Sequence, residues 1–157
     1  MPSRSAIALF LACIACSASA QEQSVESAMD FLSEVLAGQQ FNPNWTVHEG
    51  KPLIMDDHWG TLETVGPSKR CVLSYKGKMP AIERAEGRWK AFEPKDEWDF
   101  GKVFEIRKVG TSDIEMVHHG EPAHISFRLN SESLRDRVAY AMDFLRVNCD
   151  AMRRTGF

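Results

Sequence analysis

A chain of 157 residues with 19 basic and 22 acidic side chains carries a formal net charge of −3 at pH 7. That balance argues against nucleic acid, or an anionic membrane surface, as the main partner, because both are held by net positive charge. A length near 150 residues fits one domain, long enough to bury a core without a structural metal or cofactor.

The N-terminus reads as an export signal. Arg4 precedes an apolar run containing Ile7, Leu9, Phe10, Leu11 and Ile14, and Ala18-Ser19-Ala20 places small residues where a signal peptidase cuts. The run is too short to span a bilayer as a helix, and no apolar stretch of that length follows. Cleavage after residue 20 leaves 137 of the 157 residues and, with Arg4 gone, a net charge of −4. Residues 21–157 then form one α+β domain in the periplasm or outside the cell. Cys13 and Cys16 each follow an alanine, so lipid attachment at one of them is the alternative to a soluble form.

Export also fixes the cysteine arithmetic. Cys71 and Cys149 are the two that remain, and an oxidising compartment allows them one pairing.

Residues 24–37 predict a helix, because Val25, Ala28, Met29, Leu32, Val35 and Leu36 recur at steps of three and four. Ser24 is the expected N-cap and Gly38 the stop. Strands are expected at 61–65 and 71–75, divided by a turn at Gly66-Pro67-Ser68, with Cys71, Leu73 and Tyr75 on one face. Further strands are expected at 86–92, 103–109, 114–118 and 124–129. Phe104 and Ile106 share a face in the second of these, and Ile125, Phe127 and Leu129 point inward in the last. Leu134, Val138, Ala141, Met142, Leu145, Cys149 and Met152 make one stripe of a second helix over 132–153. The expected fold is an antiparallel β-meander of about five or six strands with both helices on one face. A helix lying on the Cys71 face brings its Cys149 to that sulfur.

Two segments carry candidate chemistry. Asp56, Asp57, His58 and Trp59 form the densest polar cluster, although neighbouring residues do not converge on one reacting atom without help from the fold. Between residues 92 and 100, Phe92, Trp98 and Phe100 alternate with Glu93, Asp96, Glu97 and Asp99, while Pro94 disfavours a regular strand. Such a loop either presents rings as anchors and carboxylates as steering charges, or tucks the rings into the core. His118 and His119 point to opposite faces of a strand, and with His124 they lack the tight spacing of a metal site. No catalytic, phosphate-binding or nucleotide-binding motif occurs. These features together predict a non-enzymatic exported binding protein, of inhibitor or immunity type, that meets a protein with a basic surface. The alternatives are a carrier or sensor of a small lipophilic molecule between sheet and helices, and a hydrolase with a dispersed site.

Overall fold

A computed structural model describes residues 23–48, 51–54, 58–84, 87–119 and 124–150, with side chains outside 45–54 and 82–89. The expected leader, residues 1–20, lies outside them.

The chain begins with helix α1, Val25–Leu36. Ser24 caps it reciprocally with Ser27, each side chain accepting the other's backbone N–H (3.0 and 2.9 Å). The helix closes at Gly38, whose φ of +83° is a conformation that a residue with a Cβ adopts at a cost. Strand β1, Gln40–Asn42, follows at once. Next comes a hairpin of β2, Trp45–His48, and β3, Lys51–Ile54. The long β4, Gly60–Lys69, turns into β5, Val72–Lys78. A second small hairpin pairs β6, Ile82–Arg84, with β7, Gly87–Trp89. Then come β8, Lys95–Asp99, a 3-10 turn over Phe100–Lys102, β9, Val103–Val109, β10, Asp113–His118, and β11, His124–Arg128. Helix α2, Glu132–Cys149, closes the described chain; Ser131 caps it by accepting the Leu134 N–H at 3.2 Å.

The fold is α+β, but its sheet has seven strands, in the order β8-β5-β4-β1-β11-β10-β9, rather than five or six. All its pairings are antiparallel. It is two meanders joined by β1, which pairs with β11 along its length and with the start of β4. A three-residue strand is too short for an alternation to reveal it.

The expected turn at Gly66-Pro67-Ser68 is also corrected. Those residues continue β4, with Gly66 opposite Ser74 and Pro67 opposite Leu73. On its β1 side β4 is bonded at residues 60–62, and among the described residues Pro67 has no ladder partner there, so the missing N–H costs nothing. The chain turns at Arg70 and Cys71 instead, Cys71 taking the left-handed conformation at φ +66°.

One face of the sheet and the apolar stripes of both helices make a single core. Leu32 and Leu36 of α1, Val138, Met142 and Leu145 of α2, and Phe41, Leu62, Leu73, Trp98, Ile114, Met116 and Phe127 of the sheet are all buried. Phe104, expected to share a face with Ile106, is 55% exposed. The β9–β10 register shifts between Val117 and His118, and this bulge turns Phe104 away from the core while Ile106 still packs on it. Arg135 is buried within the α2 stripe; it donates to the Gly110 carbonyl and pairs with Glu132 and Asp136 at 3.1 and 2.8 Å, tying the β9–β10 turn to the helix.

Gly77, like Gly60, is a close approach in the sheet. A Cβ on Gly77 would stand 2.5 Å from the Phe41 ring, which is itself fully buried. Gly77→Ala is expected to cost about 1–3 kcal/mol by overpacking. A urea midpoint equal to wild type would show that the sheet is looser there than the packing implies.

The expected disulfide is present. Cys71 and Cys149 join the β4–β5 turn to the last residue of α2 across 78 residues, with Cα atoms 5.7 Å apart. Among the described residues, no helix is long and apolar enough to cross a membrane.

Candidate recognition surface

The segment 92–100 is not an irregular loop. Pro94 precedes a strand rather than preventing one: its carbonyl accepts the Gly77 N–H at 2.8 Å, and β8 then pairs with β5 from Lys95↔Lys76 to Asp99↔Val72. β8 is the last strand on its side of the sheet. Alternation sends Trp98 inward, where it is 1% exposed and stacked on Tyr75 at 4.5 Å, with Phe127 edge-on at 5.1 Å. Phe100 is fully buried, and Phe92 packs half-buried against the same core. The reading of Trp98 and Phe100 as exposed anchors therefore gives way to the one in which the rings fill the core, because large aromatic area is buried wherever a strand face allows.

The carboxylates remain at the surface. Asp96 and Glu97 are exposed along the β8 edge, and Glu93 is exposed in the segment that leads into it. Glu93 shares Lys76 with Glu63, at 3.1 and 3.2 Å, and these two carboxylates raise the lysine pKa. Asp99 is half-buried and structural, accepting the Gly101 N–H at 3.0 Å to cap the 3-10 turn. Beneath the edge, burial and then the Asp96 charge push the Tyr75 hydroxyl well above the ordinary tyrosine range, so its ring stays neutral. The result is an open strand edge, rigidly backed by aromatic rings, with acidic side chains along it.

The polar cluster is divided. Asp56 and Asp57 lie outside the described residues. His58 is buried, and its Nε2 lies 2.9 Å from the Pro80 carbonyl oxygen. Trp59 is half-buried beneath the Arg128 guanidinium, which sits 4.1 Å from the ring centroid and donates to both carboxylate oxygens of Asp113, at 3.1 and 3.0 Å. Burial pushes Asp113 up, but hydrogen bonds from Arg128 and Ser112 outweigh it and hold the carboxyl below its usual range. Nearby, His124 Nε2 lies 3.4 Å from Glu115, and the His119 ring meets Phe104 edge-on at 5.1 Å. Among the described residues, no three metal-ligating side chains gather.

Two surface hollows were not foreseen. One, of about 210 Å³, lies between the helices and is lined by Ser27, Phe31, Arg137 and Tyr140. The other, of about 400 Å³, opens on the disulfide and is lined by Lys69, Arg70, Asp99, Lys102 and both cysteines. Lys69 and Lys102 lie 33 positions apart in sequence, so no local pattern signals their meeting.

No protein-family model matches the sequence, and the curated proteins include no significant match to it.

Proposed function

We propose that this chain is an exported, non-enzymatic recognition protein that binds a basic extended segment of a protein partner along the β8 edge. The observation that carries the reading is the edge itself. Among the described residues β8 has one sheet neighbour; Asp96 and Glu97 are exposed on it, and Glu93 is exposed just ahead of it. An added strand gains backbone hydrogen bonds from such an edge, and carboxylates steer basic residues to it. The buried stack of Trp98 on Tyr75 supports the reading by holding the edge in place before a partner arrives, which lowers the entropy cost of binding. The same charges discourage two copies from pairing edge to edge. The carrier alternative needs space between sheet and helices, and the described side chains there pack on one another.

The test is capture from an envelope extract at low salt, with the mature chain as bait and the triple variant Glu93→Lys, Asp96→Lys, Glu97→Lys beside it. A retained protein that elutes with salt and binds the variant on the order of tenfold to hundredfold more weakly is the expected result. Nothing retained at low salt would end the recognition reading. Equal capture by the variant would move the surface away from β8.

A further inference from the structure

We propose that the Cys71–Cys149 disulfide is an exchange site, opened in the folded protein by the thiolate of a dithiol reductant. The bond is not sealed in the core. Both cysteines line a solvent-open hollow of about 400 Å³, and Cys71 is the more exposed of the two residues. Lys69, Arg70 and Lys102 line the same hollow. Their charges draw an anionic thiolate in and stabilise the thiolate that leaves. Three acids temper this field, one of them Asp150, which directly follows Cys149. Asp99 is turned to the Gly101 N–H, and Glu26 pairs with Arg70 at 3.2 Å, which leaves the two lysines as the main attraction.

The position also lets the bond open without dissolving the fold. Cys149 is the last residue of α2, and Cys71 sits in the turn ahead of β5. Leu73, Trp98, Met142 and Leu145 are fully buried in the core, which Cys149 joins at its edge with 8% exposure. What opening releases is the end of α2 and the turn whose Cys71 carbonyl accepts the Phe100 N–H at 2.9 Å.

The chemistry balances as thiol–disulfide exchange. The first thiolate of the reductant attacks Cys71 Sγ, the S–S bond breaks, and Cys149 departs as a thiolate that takes a proton from water. The second thiol of the reductant, as thiolate, then attacks the mixed disulfide and expels Cys71. Two electrons pass to the protein, and the reductant leaves as its own disulfide.

The experiment follows reduction of the oxidised chain without denaturant by a dithiol, dithiothreitol, using alkylation and mass spectrometry. It also compares attack by glutathione, whose thiolate form is doubly negative, with attack by cysteamine, whose thiolate form is net neutral. The expected rate is first order in thiol without saturating, and the reduced chain keeps its far-UV spectrum and a cooperative melt at lower temperature. Lys69→Glu with Lys102→Glu, both at exposed positions, is expected to slow anionic glutathione about tenfold at low salt and net-neutral cysteamine much less. A rate that saturates at the global unfolding rate overturns the proposal, as does loss of structure on reduction. Equal slowing of both thiols overturns the role of the lysines in drawing in the attacking thiolate.

Discussion

Replacing Cys71 and Cys149 together by alanine is expected to lower the unfolding free energy by roughly 4–5 kcal/mol, the loop-closure value for a bond spanning 78 residues. For a domain of this size that is a fall in Tm of about 15 °C. The effect acts mainly on the unfolded chain, which regains the freedom that the bond removes. The folded variant should therefore keep its spectrum, and its denaturant m-value should rise, because the uncrosslinked chain exposes more surface when it unfolds. Cys71 is the more informative partner, since it holds φ +66° in the β4–β5 turn. Cys71→Gly paired with Cys149→Ala should recover about 1 kcal/mol of the loss, because glycine adopts that conformation without a Cβ clash. A fall in Tm of only a few degrees for the alanine pair would mean that the bond does not restrain the unfolded ensemble, and the hollow around it would then be its main significance.

The disulfide was readable from the cysteine count and from Cys149 on the apolar stripe of α2; Cys71, expected on a strand face with Leu73 and Tyr75, instead lies in the left-handed turn ahead of β5. Helix limits were readable from such stripes, to within a residue or two except at the end of α2, where the expected 132–153 reaches past the described Cys149. The sheet was harder. Gly66-Pro67-Ser68 has turn chemistry in a stretch that is strand, since a proline is tolerated where its strand face lacks a partner, and only the topology says where that is. β1 is three residues long and sits at the centre of the sheet, so its weight comes from its neighbours rather than its own pattern. Of the candidate surface, the acids were readable and the fate of the rings was not. Trp98 and Glu97 are adjacent, and their opposite exposures follow from β8 being a strand, a state that Pro94 had seemed to discourage.

That placement sets the second large effect. Trp98→Ala is expected to cost about 3–5 kcal/mol, the range for removing a fully buried aromatic side chain from a close-packed core. The ring is the centre of a chain of aromatics that crosses the sheet, stacked on Tyr75 at 4.5 Å, with Phe127 at 5.1 Å and Phe41 beyond Tyr75 at 5.6 Å. Its loss removes the buried side chain of β8 and leaves that edge strand held by backbone pairing with β5 and by the flanking Phe92 and Phe100. Trp98→Phe separates the ring's volume from its polar atom. Among the described residues, buried Nε1 has no hydrogen-bond partner, a desolvation cost of about 1–3 kcal/mol that phenylalanine does not bear. That relief offsets much of the lost area, so Trp98→Phe should stay within about 1.5 kcal/mol of wild type. Urea midpoints measure both substitutions, and iodide quenching of the Trp98 fluorescence, isolated by difference against Trp98→Phe, reports the ring's exposure directly. If Trp98→Ala fell within about 1 kcal/mol of wild type and the difference emission were readily quenched, the ring would be at the surface in solution. Residues 92–100 would then have to be read as a loop presenting aromatic anchors, and the rigid acidic edge would lose its backing.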